Sequence, residues 1–116
     1  GIKVIDDRFI IYGVRANRES TIPLIGYATS SEVNAGTWNI QTFGSPTSGV
    51  GGLIQIGDIV KTIDGKYLIA GNFSINNVQC NYAYSNSILG AWTGHSISGV
   101  NRTLNVISYD EFVEKL

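Results

Sequence analysis

Residues Ile5-Asp6-Asp7-Arg8-Phe9-Ile10-Ile11-Tyr12-Gly13 read IDDRFIIYG, and fifty-eight positions later Ile63 to Gly71 read IDGKYLIAG. Each stretch sets an apolar residue before a polar pair and a cation, then runs through aromatic and aliphatic side chains to a glycine. That order predicts a tight hairpin between two strands in both places. Asp64-Gly65 is a strong two-residue type I′ signal, because both central positions of that turn need positive φ. Ile5 and Ile63 are expected to close the first strands. Gly13 and Gly71 are expected to mark where the second strands run into their loops.

The likeness extends beyond the hairpins. Ile2-Lys3 aligns with Val60-Lys61 at the same shift, Tyr27-Ala28-Thr29-Ser30 returns as Tyr82-Ala83-Tyr84-Ser85, and Gly36-Thr37-Trp38 returns as Gly90-Ala91-Trp92. Between these landmarks, short runs of β-branched and aromatic residues alternate with Gly, Asn, Ser and Thr, the texture of an all-β chain. Strands are predicted near Ile2–Ile5, Phe9–Val14, Leu24–Thr29, Trp38–Phe43, Leu53–Ile56, Ile59–Ile63, Tyr67–Asn72, Cys80–Ser85, Trp92–Ile97 and Leu104–Ser108. The chain thus reads as one β domain made of two repeats, 2–43 and 53–99, with a repeat length of about 55 residues. A glycine-rich loop, 44–52, joins them, and a tail, 100–116, follows. Helix is expected only in the tail, where Ser108 precedes Glu111 in capping-box spacing and Phe112 and Leu116 lie four apart. A third hairpin over YDEFV is the competing reading of the same residues.

Composition narrows the function classes. The 116 residues are 43% hydrophobic and 15% charged with a net charge of −1, which is a globular balance. No apolar run approaches the roughly 18 residues of a membrane span. The eight Lys and Arg are scattered, so no basic patch for nucleic acid is expected. A single cysteine, Cys80, leaves no intramolecular disulfide and reads as a buried small hydrophobe. With one His and one Cys no metal-ligand cluster is expected, and no cofactor is implied. Gly49-Val50-Gly51-Gly52 lacks the Lys-Ser or Lys-Thr of a phosphate loop.

The recurring Ser, Gly and Trp give the repeats a frame: Ser31, Gly36 and Trp38 in the first, Ser85, Gly90 and Trp92 in the second, with seven positions from Ser to Trp in both. This resembles the bacterial-neuraminidase-type repeat, the Asp-box blade of sialidase-like propellers. The Asp position is Val33 in one copy and Ser87 in the other, and the glycine falls one place late. The resemblance implies four-stranded propeller-like blades, as in sialidase-like and in phage tail or lectin-like proteins. With it come a carbohydrate or receptor as ligand and an extracellular or virion-surface location. Two blades cannot close a ring, so the expected partners are other copies of the chain or further blades of a longer one.

Trp38 and Trp92 would then cover the layer between blades, delivered by turns in which Gly36 and Gly90 permit positive φ. Tyr82 and Tyr84 alternate with Ala83 and Ser85 and share one strand face, giving a packing surface or a ligand platform. Arg15 and Arg18 lie where a variable loop could hold an anion. Asp6, Asp7 and Asp64 fall in turns, where aspartate bonds its local backbone. No pair of carboxylates suited to glycoside hydrolysis emerges. The reading that follows is a non-catalytic binding or structural module. Its alternative is a fragment of a sialidase-like glycoside hydrolase whose catalytic residues lie in other blades.

Overall fold

The computed structural model of the chain describes residues 1–16, 20–45, 47–48, 54–100, 104, 106 and 114. Its strands form two antiparallel meanders, in agreement with the all-β expectation. β1 (Ile2–Ile5), β2 (Arg8–Ala16), β3 (Ser20–Ala28) and β4 (Asn39–Thr42) make the first sheet in chain order. β5 (Thr47–Ser48) pairs with Ser20 and Thr21 of β3, so two residues of the expected loop 44–52 belong to the sheet. β6 (Gln55–Lys61), β7 (Tyr67–Ile75), β8 (Val78–Ser85) and β9 (Thr93–His95) make the second. The helix and the third hairpin proposed for the tail, and the strand Leu104–Ser108, lie outside the described residues.

The two opening hairpins turn differently: the tight two-residue turn expected in both places is found at Asp6-Asp7 and not at Asp64-Gly65. Asp6 and Asp7 take φ of 52° and 61°, and Ile5 pairs with Arg8, which is the two-residue I′ geometry. Aspartate tolerates this left-handed region because its short side chain can bond locally. Asp64-Gly65 instead belongs to a three-residue loop: the Thr62 amide donates to the Lys66 carbonyl at 2.7 Å, and Gly65 sits at φ 85°. The Thr62 hydroxyl holds this loop, accepting from the Lys66 amide at 2.9 Å and bonding Asp64. One extra loop residue slides β6 by one place relative to β1. Lys3 therefore pairs with Ile10, whereas Val60 pairs with Leu68, so the true counterpart of Lys3 is Val60 rather than Lys61. Ile63 consequently stands in the turn, fully exposed, while Ile5 packs against the core.

Gly13 and Gly71 do not end their strands. β2 continues to Ala16 and β7 to Ile75, where Asn76 and Asn77, at φ 52° and 64°, make a second I′ hairpin into β8. The strands expected at Leu53–Ile56 and Ile59–Ile63 are one strand, β6, whose register breaks between Ile56 and Ile59. A helix that the strand pattern did not anticipate, α1 (Ser30–Ala35), fills the β3–β4 connection. Thr29 caps it in a full capping box with Glu32, and Gly36 closes it at φ 74°.

Cross-strand partners place side chains on common faces. On the first sheet, Ile10 lies opposite Tyr27 and Tyr12 opposite Ile25, making a tyrosine face; Ile2 opposite Ile11, and Phe9 opposite Ala28, make the other, an isoleucine face. The second sheet repeats both: Leu68 opposite Tyr84 and Ala70 opposite Tyr82, then Ile59 opposite Ile69 and Tyr67 opposite Ser85. The core forms between unlike faces. Ile10 and Ile25 of the first tyrosine face are buried in one cluster with Ile59, Ile69 and Ala83 of the second isoleucine face. β2 and β1 both lie against β6.

Polar bridges fix this packing. The Gln41 amide donates to the Gly90 carbonyl at 2.9 Å, and the Lys61 ammonium pairs with Asp6. Asp58 accepts from the Tyr12 hydroxyl at 2.8 Å, from the Ile59 amide at 2.7 Å and from the Lys3 ammonium at 3.1 Å. Past β4 the chain clasps the second sheet. Phe43 packs edge-on against Phe73 with ring centres 5.2 Å apart and lies 5.6 Å from Trp92, and the Ser45 amide donates to Ser74. A side chain at Gly44 would strike the Ser74 carbonyl, so the close approach requires glycine.

The Tyr12–Asp58 bridge gives the fold a pH signature. Burial pushes the Asp58 carboxyl up, but the hydrogen bonds from Tyr12, Ile59 and Lys3 together hold it below its ordinary value of 3.8. Burial, aided by Asp58, pushes the Tyr12 phenol up to about 12. A depressed carboxyl stabilises the fold above its unfolded-state value and loses that contribution as pH falls through the folded one. A raised phenol stabilises below pH 10 and loses its contribution as pH climbs toward about 12. Asp58→Ala is expected to cost about 1–3 kcal/mol near neutral pH by stranding Tyr12 and the Ile59 amide. Urea titrations across pH should find the variant less acid-sensitive than the parent; equal acid sensitivity would rule the bridge out as the source.

Candidate functional site

Where the turn ends of the two sheets meet, a cleft of about 300 Å³ opens between them. The first sheet contributes Ile5, Arg8, Ile10 and Tyr27, and the second contributes Tyr67 with the β8–β9 turn residues Asn86 to Leu89. β-structure explains how these come together. Arg8 follows the I′ turn and lies on the tyrosine face, so its guanidinium reaches over the Tyr27 ring, 4.8 Å from the centre. Glu32, on α1, lies within electrostatic reach of Arg8. The Thr29 amide, Asn39 and the Thr29 hydroxyl, with Arg8 beside them, keep the Glu32 carboxyl below its usual range.

Across the cleft, Tyr67 starts β7 with the Lys61 ammonium 5.8 Å from its ring centre. The turn that carries Asn86 and Ser87 is tied by Ser85, whose buried hydroxyl donates to the Ser87 carbonyl at 2.7 Å and accepts from the Ser87 amide at 3.3 Å. Ile5, Ile10, Ile88 and Leu89 supply apolar walls. The arrangement offers aromatic faces, a cation and small amide and hydroxyl groups around a space the size of a small polar ligand.

The residues singled out from sequence are dispersed. Tyr82 and Tyr84 share one face and flank His95, with ring centres 5.4 and 5.9 Å away, and Lys66 lies over Tyr84. Arg15 is exposed near the end of β2, far along the strand from Arg8, and Arg18 lies outside the described residues. Trp92 is buried with its indole N–H donating to Ile88 at 3.1 Å, whereas Trp38, at the corresponding place before β4, is half-buried and outside the core cluster. Gly36 provides a left-handed helix cap. Gly90 serves differently: a side chain there would collide with the Ser87 hydroxyl.

The sequence reading missed the cleft's own members, Arg8, Tyr27, Tyr67, Asn86 and Ser87. Arg8 and Tyr67 stand in the two opening stretches, where they read as turn and strand residues.

Among the described residues no group of His, Cys, Asp and Glu is placed to hold a metal ion, and no helix is long and apolar enough to cross a membrane. Burial pushes the Cys80 thiol up, away from the thiolate a nucleophile needs. The raised Tyr12 phenol likewise favours its hydrogen-bonded, neutral form. No protein-family model matches the chain, and no curated protein or solved structure matches it.

Proposed function

We propose that the chain is a non-catalytic binding or structural module of the β-propeller type, each sheet serving as one blade, with the inter-sheet cleft taking a carbohydrate or similar hydroxyl-rich ligand. The observation that carries this reading is the cleft itself, where Tyr27 and Tyr67 bring aromatic rings together with Arg8, Asn86 and Ser87. Aromatic faces stack on the C–H surfaces of sugar rings, while guanidinium, amide and hydroxyl groups bond their oxygens. Tyr12 and Asp58, by contrast, are already engaged with each other in holding the sheets together.

A glycan array probed with the full chain tests the proposal. Binding is expected, and Tyr67→Ala or Arg8→Ala should weaken it about tenfold, the equivalent of about 1.4 kcal/mol. Ser98→Ala, remote from the cleft, should leave it unchanged. Absence of binding to any glycan, or binding insensitive to both cleft substitutions, would overturn the ligand assignment.

A further inference from the structure

Each sheet begins with an edge strand, β1 in the first and β6 in the second, and the two edges treat their outward backbone groups differently. In an antiparallel ladder, bonded residue pairs alternate with pairs whose backbone groups point away from the partner strand. Along β1 the phase is set at both ends. The Tyr12 amide donates to the Gly1 carbonyl at 3.0 Å, and Ile5 pairs with Arg8 beside the two-residue turn. Gly1, Lys3 and Ile5 therefore bond β2, while the amides and carbonyls of Ile2 and Val4 point out of the sheet. Among the described residues β1 pairs with β2 alone.

Along β6 the Thr62 amide donates to the Lys66 carbonyl, so Val60 bonds Leu68 and the outward positions are Ile59 and Lys61. These are the counterparts of Ile2 and Val4. The β6 edge is blunted in three ways that discourage further pairing. The Ile59 amide is taken by the Asp58 carboxylate at 2.7 Å, an exposed cation stands at Lys61, and the register breaks just before Ile59. β1 has none of these devices. Its register with β2 is unbroken, its outward positions carry Ile2 and Val4, 61% and 60% exposed, and among the described residues no side chain takes their amides. β6 lies against the opposite face of β1, where Lys3 reaches Asp58, and leaves the Ile2 and Val4 side open.

Such an edge matches one more strand. A peptide running antiparallel to β1 meets the amide and carbonyl of both Ile2 and Val4, and its residues directly opposite share their face. Apolar β-branched side chains there make stabilising cross-strand pairs. The N-terminal end of that peptide falls beside the Asp6-Asp7 turn. Asp6 already pairs with Lys61, whereas Asp7 is exposed with no cationic partner among the described residues. A basic residue at that end completes the match.

We infer that β1 is a peptide-docking edge, accepting by strand addition an extended segment of another protein with apolar residues at alternate positions and a Lys or Arg at its N-terminal end. The inference does not depend on what the cleft binds.

A capped, dye-labelled hexapeptide, one lysine followed by alternating threonine and valine, tests it by fluorescence anisotropy with the full chain. Saturable binding is expected. Val4→Pro removes only an outward amide, which an edge strand tolerates, and should weaken binding at least tenfold while the far-UV circular dichroism stays that of the parent. Asp7→Asn, which keeps a residue suited to positive φ, should weaken it about two- to fivefold, the range of an exposed ion pair. The peptide supplies a control that leaves the protein untouched. Its valine amides face β1 and its threonine amides face solvent, so N-methylation of the valines should abolish binding and N-methylation of the threonines should change it less than twofold. Absence of binding, a Val4→Pro variant that binds as the parent does, or equal losses from the two methylations would each overturn the inference. Unchanged affinity in Asp7→Asn would overturn the basic end. A chain that sediments at twice its mass, returns to single chains in Val4→Pro and binds no peptide would assign the edge to a second copy and overturn the peptide assignment. Glycan binding without peptide binding would leave the cleft assignment standing while this one fell.

Discussion

Phe73→Ala is expected to lower stability by about 3–5 kcal/mol, the cost of emptying a large aromatic site in a well-packed core. Phe73 is 2% exposed, on β7, and meets Phe43 edge-on at 5.2 Å. Phe43 in turn approaches Trp92, so one ring from the first repeat lies between two from the second. Removing Phe73 therefore loses more than its own burial, because the clasp formed by Phe43, Gly44 and Ser45 loses the surface it grips. A domain of this size has a total stability of roughly 5–15 kcal/mol, so a large fraction disappears. Urea denaturation followed by tryptophan fluorescence measures the change, and Trp92 should report it directly. A loss under about 1 kcal/mol would mean that the two repeats do not share this core.

The second large effect separates two glycines that the sequence presents as equivalents. A side chain at Gly71 would run into the Gln55 carbonyl and lie 3.1 Å from the Ile56 Cα, beside the register break of β6. Backbone cannot yield there without disturbing the ladder, so Gly71→Ala should cost about 1–3 kcal/mol. Gly13 occupies the same place in the first sheet but has nothing within 4 Å of where a side chain would project. Gly13→Ala should be stabilising by about 0.4–1 kcal/mol, since the unfolded chain loses freedom at no native cost. Urea denaturation of the two variants beside the parent gives both values. Effects of the same sign at the two positions would contradict the described packing around β6 and β7.

Much of the fold was legible because two-residue periodicity and turn residues are local signals. β1 is found at the residues read from the sequence, and β2, β3, β7 and β8 differ from it only at their ends. Hairpin register was not legible, because it depends on which competing bond wins. Asp64-Gly65 looks like the better I′ turn, yet the Thr62 hydroxyl bonding the Lys66 amide draws the loop out by one residue. Asp6-Asp7, lacking glycine, makes the tighter turn. α1 escaped notice for a different reason: its residues have no buried apolar stripe, so hydrophobic periodicity is silent there. Its signal was nevertheless present in the Thr29 to Glu32 spacing and in Gly36.

The candidate site was the least legible part. Arg8, Tyr27, Tyr67 and Asn86 come from separate strands and turns, and only the stacking of one sheet's tyrosine face on the other's isoleucine face brings them together. Tyr82 and Tyr84 were correctly placed on a common face by alternation. Alternation alone cannot say which of two faces meets the other sheet, and theirs lies outside the cluster that the two sheets share.

Nuclear Overhauser contacts between isoleucine methyl groups, measured on the full chain with specifically labelled isoleucines, probe the face-on-face packing most directly. Contacts from Ile10 and Ile25 to Ile59 and Ile69 within one chain are expected. Contacts from Ile11 or Ile40 to Ile59 or Ile69 within the same chain, in their place, would mean that the sheets pack through the opposite faces and would contradict it.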